Sequence, residues 1–242
     1  MPTPVSDANR THTLFTVANL ITLGSLAASL LAISQGIAGH FDRVGQLFLI
    51  AAICDALDGF VARRRQTAGP LGTQLDSLVD MVSFGVVPAT VALSFAAQHG
   101  SALPFWLLAV YVACTAIRLG RFNVQADKSV FFGLNSPSAA ALVIFLVWSM
   151  HDAGPVIASH WSITAVSVSL LFSALMMVSP FRYISTKKLT TTYPQTRLVL
   201  LLLAAALACT VAFAPYSLYL GALLYALSGP GNSLRRLRPR TA

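Results

Sequence analysis

Glutamate is absent from this chain, and its only acidic residues are eight aspartates among 242 residues. Charged residues make up 10% of the sequence, against roughly 25% in soluble domains. So little charge beside 56% hydrophobic residues excludes an ordinary soluble fold. Cysteine is scarce too. Cys54, Cys114 and Cys209 all lie in apolar runs, an odd count without metal-ligand spacing, which excludes a disulfide framework. The five histidines fall in the polar N-terminus and in short turns and form no ligand set. Internal repeats of solenoid period and strand-like alternation are both missing. So is a serine or cysteine nucleophile beside a histidine base, which removes the usual parts of a covalent route.

What is present is a series of long apolar runs. They predict an all-α polytopic membrane bundle of about eight spans in one domain, 1–242. The expected spans are 14–37, 44–60, 71–97, 105–117, 137–150, 161–178, 198–213 and 216–227, most near the roughly 20 residues a bilayer core requires. The net charge of +8 resides in loops between these runs. That pattern matches membrane topology and anionic headgroups and argues against nucleic acid. Every Lys and Arg except Arg43 falls in the even-numbered loops or the termini, including the basic tail 231–242. Both termini are therefore expected in the cytoplasm.

Half of the aspartates occupy one stretch, 55–80. Asp55 and Asp58 are spaced i and i+3, and Asp76 and Asp80 i and i+4, so each pair shares a helix face. Carboxylates at the edge of hydrocarbon are costly and need protons or a cation. Two such helices side by side would gather four oxygen donors, a set that suits Mg²⁺ or Mn²⁺. A single intramembrane Asp has a plain structural reading as a hydrogen-bonding group, and lone glycines as helix-packing sites. Four aspartates with glycine and arginine in register do not.

The stretch is written Asp55-x2-Asp58-Gly59-x2-Ala62-Arg63-x8-Gly72-x3-Asp76-x3-Asp80. It resembles the signature of the CDP-alcohol phosphotransferases, membrane enzymes of phospholipid synthesis, at every fixed position. The resemblance implies that Asp55, Asp58 and Asp76 bind metal. Asp80 would stand near a second ion and serve as catalytic base toward the attacking alcohol. It implies that Gly59 and Gly72 admit the nucleotide of CDP-diacylglycerol, that Arg63 reaches its phosphate or cytosine, and that Asn19 and Thr22 on the first helix face it. A homodimer at the cell membrane, with the site open to the cytoplasm, is the family's expectation.

Four further segments resemble the branch of that family whose acceptor is L-serine. They are Leu75 to Ala89, Arg118 to Val124, Phe132 to Pro137, and Leu175 to Ser179 leading to Lys187. Ala is more usual than Gly120 there, and Pro more usual than Asn135. Serine is a zwitterion, so Arg118 or Arg121 is a candidate for its carboxylate and Ser83 for a further contact. Either arginine equally suits a topology anchor, and Ser83 a helix–helix hydrogen bond. Lys187 and Lys188 would meet lipid phosphate or anchor their loop. Inositol phosphate, glycerol phosphate and choline are alternative acceptors within the family. A cation-coupled transporter, an intramembrane aspartyl protease and an inactive scaffold are rivals outside it. The first lacks the inverted repeat such proteins carry. The second needs only two facing aspartates. The intact motif speaks against the third.

Overall fold

The computed structural model describes residues 16–65, 69–124, 131–154, 160–183 and 215–237. They form seven helices: α1 Val17–Ile37, α2 Phe41–Arg64, α3 Pro70–Gln98, α4 Phe105–Val124, α5 Ser136–Asp152, α6 His160–Val178 and α7 Tyr216–Leu237. A two-residue antiparallel bridge joins Phe131–Phe132 (β1) to Arg182–Tyr183 (β2). Among the described residues, five helices are long and apolar enough to cross a membrane: α1, α2, α3, α4 and α6. The predicted span 198–213, both loop lysines and the last five residues lie outside the described residues.

Element positions follow the expected spans, with two corrections. The basic segment after 117 was expected as loop, but α4 runs on to Val124 and carries Arg118 and Arg121. Leu119, buried, continues the packed face past the apolar run, and a cation in the last turn suits the helix dipole. The short span 216–227 is instead a helix of 22 residues reaching Leu237, with Pro230 inside it.

Lipid is as apolar as leucine, so helices in a membrane associate through close packing and hydrogen bonds. α1 uses both. Ala18, Thr22, Ser25, Ser29, Ala32 and Gly36 recur at three- and four-residue steps along its buried face. Ser25 Oγ donates to the Ala51 carbonyl of α2 at 3.0 Å, and the Ser29 and Ser83 hydroxyls meet at 2.7 Å on the way to α3. α1 thereby packs against both helices that bear the aspartates. Farther from that end, edge-to-face aromatic pairs Phe41–Phe95, Phe48–Phe84 and Phe48–Phe145 fill the core, with centroids 5.4, 6.1 and 5.5 Å apart. α5 is buried along most of its length, as a helix apolar all round must be. It comes so close to α2 that a Cβ on Gly45 would lie 2.1 Å from the Trp148 ring.

α3 is not uniform. Directly after Asp80, residues Met81–Val86 form a π-helical turn before α-helix resumes at Val87. A π turn widens the helix and leaves carbonyls poorly paired. Tyr111 of α4, fully buried, donates its hydroxyl to the Phe84 carbonyl within that turn at 3.0 Å. Tyr111→Phe keeps the ring and strands this carbonyl in a dry core. A loss of about 1–3 kcal/mol is expected, read as a lower thermal midpoint in detergent. An unchanged midpoint would show that the bond contributes nothing.

Candidate active site

One face of α2 and one face of α3 supply the carboxylates, as helical spacing requires. Oxygen atoms of Asp55, Asp76 and Asp80 all lie within 4.8 Å of one another. Carboxylates this close need a shared proton or a cation among them. The donor set is all oxygen, negatively charged and only partly buried, so it fits a hard dication with metal–oxygen bonds of about 2.1 Å after small side-chain rotations.

Asp58 stands beside this trio. It lies one turn along α2, is 4% exposed, and accepts from Thr22 Oγ1 at 2.5 Å. It remains near enough to interact electrostatically with Asp55 and Asp76. The four-carboxylate set expected from the sequence is therefore a close trio plus one carboxylate held by α1.

The remaining candidates divide by position. Asn19 is buried on α1, and a Cβ on Gly72 would lie 3.2 Å from its Oδ1, so α1 and the start of α3 approach closely at Gly72. Gly69 caps α3 with Pro70 at its first position, the arrangement expected of a helix start. Gly59 is half-buried on α2, one residue past Asp58, and Arg63 lies in that helix's last turn. Ser83 shares a hydrogen bond with Ser29, the helix–helix contact that is one of its two readings.

The two α4 arginines separate clearly. Arg118 is mostly buried and interacts electrostatically with Asp80 and Asp55. Its Nη1 donates to Ser136 Oγ at the start of α5, and its Nε is buried without a hydrogen-bond partner. Arg121 is exposed and lies over the Phe132 ring, 5.3 Å from the centroid. Asn123 Nδ2 donates to Ser77 Oγ at 2.9 Å, tying the end of α4 to α3 one residue past Asp76. Asn135, where relatives more often carry Pro, is the N-cap of α5 and accepts from the Ser138 amide at 3.2 Å.

Sequence reasoning gave Ser136 no role beyond its place in the segment Phe132 to Pro137, and it missed Tyr111, a single hydroxyl in an apolar run that only its partner across helices marks. It also passed over the small-residue face of α1 beyond Asn19 and Thr22, although its three- and four-residue steps stand in the sequence.

Comparison with known proteins agrees with this geometry. The family model for CDP-alcohol phosphatidyltransferase matches residues 14–178. A CDP-diacylglycerol–serine O-phosphatidyltransferase of Methanocaldococcus jannaschii is 27% identical over 216 residues, covering 89% of this chain and 96% of that protein. Proteins of the same name from Helicobacter pylori strain 26695 and Saccharomyces cerevisiae are 33% and 38% identical over 137 and 120 residues. Those two matches cover 55% and 45% of this chain, and the chain spans about half of each relative, 58% and 43%. The match encloses α1 to α6, the carboxylate trio and both α4 arginines, and the chain belongs to the CDP-alcohol phosphatidyltransferase family.

Proposed function

We propose that the protein transfers a phosphatidyl group from CDP-diacylglycerol to the hydroxyl of L-serine, giving phosphatidylserine and CMP. The observation that carries this reading is the convergence of Asp55, Asp76 and Asp80 within 4.8 Å, in a chain of this family. Relatives that bear the serine-transferase name support serine as acceptor.

The residues divide the work. Asp80 takes the proton from the serine hydroxyl as its oxygen bonds to the phosphorus carrying diacylglycerol. The phosphoanhydride bond to CMP breaks, and CMP leaves with the electron pair. Asp55, Asp58, Asp76 and Asp80 would hold Mg²⁺ or Mn²⁺, which would supply charge to neutralise the pyrophosphate. Thr22 holds the Asp58 carboxylate in place through its hydroxyl. Asn19, Gly59, Arg63 and Gly72 line the nucleotide's path, the glycines by admitting it close to the backbone. Arg118 offers the serine carboxylate a planar fork of donors, and Arg121 stands at the outer margin.

Five apolar helices of spanning length support a multi-pass protein, and the apolar runs and loop placement of basic residues favour eight spans with both termini and the carboxylates on the cytoplasmic side. Family resemblance supports a homodimer.

The test is CMP release by purified protein given CDP-diacylglycerol, Mg²⁺ or Mn²⁺, and one acceptor at a time. Serine is expected to give the highest kcat/KM, above glycerol phosphate, inositol phosphate and choline, and chelation to stop turnover. Preference for another acceptor overturns the serine assignment alone. Full turnover after chelation overturns the metal.

A further inference from the structure

Contacts on both sides of Arg118 hold α4 against α3 in one antiparallel register. On one side Tyr111 donates to the Phe84 carbonyl at 3.0 Å, and a Cβ on Gly85 would lie 3.3 Å from Thr115 Cγ2. On the other, Asn123 Nδ2 donates to Ser77 Oγ at 2.9 Å. Arg118 falls between Thr115 and Asn123, and Asp80 between Ser77 and Gly85, so the two stand at one level of the bundle. Arg118 is also i+3 from Thr115 and i+7 from Tyr111, which puts it on the face of α4 that meets α3.

The guanidinium also meets the start of α5, where its Nη1 donates to Ser136 Oγ. That oxygen is firmly placed. Ser136 is 0% exposed and is the first residue of α5, with Asn135 as the cap before it and Pro137 after it. The segment leading in is tied down as well: the Gly133 amide donates to the Phe181 carbonyl and the Leu134 amide to the Met176 carbonyl, both at 2.9 Å. Nη1 is thus occupied, while the Nε–H is buried without an acceptor. A charged donor buried unpaired is costly, and it persists where a ligand completes it. The Nε–H and the Nη2–H beside it form an edge that binds a carboxylate through two parallel bonds.

We propose that Ser136 is a positioning residue for the acceptor: its bond to Nη1 sets the Arg118 guanidinium so that the Nε edge meets the acceptor's carboxylate beside Asp80. This rests on serine as the acceptor. In serine the hydroxymethyl group and the carboxylate share one carbon, so the base and the carboxylate's holder must stand close, as Asp80 and Arg118 do at one level. A long side chain already fixed at Nη1 loses little freedom when the carboxylate binds. One guanidinium edge suits a single carboxylate. A phosphate monoester calls for more positive charge, and choline has no anionic group to offer.

Ser136→Ala removes only the hydroxyl, at a helix position that alanine suits. Loss of one hydrogen bond to a charged group is worth about tenfold. KM for serine is expected to rise about tenfold, with a smaller change in kcat, while KM for CDP-diacylglycerol holds. Serinol, which replaces the carboxylate by a hydroxymethyl group, is expected to react with variant and wild type at nearly equal kcat/KM. A merely structural role would lower both acceptors alike. An unchanged serine KM in Ser136→Ala overturns the proposal, as do equal losses toward serine and serinol. A rise in KM for CDP-diacylglycerol as large as that for serine overturns it too, by giving the guanidinium to the donor's phosphate. Should Ser136→Ala lose its fold, Ser136→Cys, whose thiol accepts only weakly, makes the same comparison, and the same outcomes overturn the proposal there. The wild-type acceptor panel decides the serine reading separately. Wild type that favours another acceptor overturns both readings, whereas wild type that favours serine beside an insensitive Ser136→Ala refutes the role of Ser136 alone.

Discussion

Asp80→Asn is expected to lower CMP release by about 10²–10⁴-fold, the range for removing a positioned general base. The amide matches the carboxyl in shape and keeps its place between Asp55 and Asp76. It cannot take a proton from the acceptor hydroxyl, and it withdraws one negative charge from the trio. Both losses act on the chemical step. The thermal midpoint is expected not to fall in metal-free buffer, because the crowded carboxylates share a proton there and the amide N–H can take its place. An inactive variant with an equal or higher thermal midpoint is the predicted result. Wild-type turnover in Asp80→Asn would remove Asp80 from the chemistry and leave the trio as a binding site at most.

The largest effect on stability is expected from a residue outside the carboxylate cluster, Gly133. Its φ of +78° lies in the left-handed region, which costs other residues about 1–2 kcal/mol. A Cβ there would also sit 2.2 Å from the Met177 backbone carbonyl oxygen, and crowding of a packed interior adds about 1–3 kcal/mol. Neither neighbour can retreat freely. The Gly133 amide donates to the Phe181 carbonyl and the Leu134 amide to the Met176 carbonyl, both at 2.9 Å. Gly133→Ala is therefore expected to cost about 2–5 kcal/mol and to disturb Ser136 and Arg118 next to it in the chain and in space. Gly120 is the natural control. Its Cβ would meet nothing within 4 Å, and Ala in a helix interior is favoured over Gly by about 1 kcal/mol. Thermal unfolding in detergent should rank Gly120→Ala at or above wild type and Gly133→Ala far below. Equal midpoints for the two would contradict the close approach of the segment 131–136 to the end of α6.

Several features were legible in the residues because a local rule decides them. Apolar runs of bilayer length located the helices, and i, i+3 and i, i+4 spacing put each aspartate pair on one face. Helix ends were less legible. α4 outlasts its apolar run by seven residues, since Leu119 packs inward while Arg118 finds Ser136. α7 outlasts its own by ten, through a proline.

By itself the sequence determined the class of molecule and the identity of the carboxylate site, because hydropathy and helical period act over a few turns and need no partner. Only the tertiary structure decided how the carboxylates are shared out, with three together and Asp58 handed to Thr22. It alone decided which arginine faces them, Arg118 inward and Arg121 against Phe132. These are meetings between residues about ten to about sixty positions apart, set by which small residues let helices approach, and no local pattern in the chain encodes them.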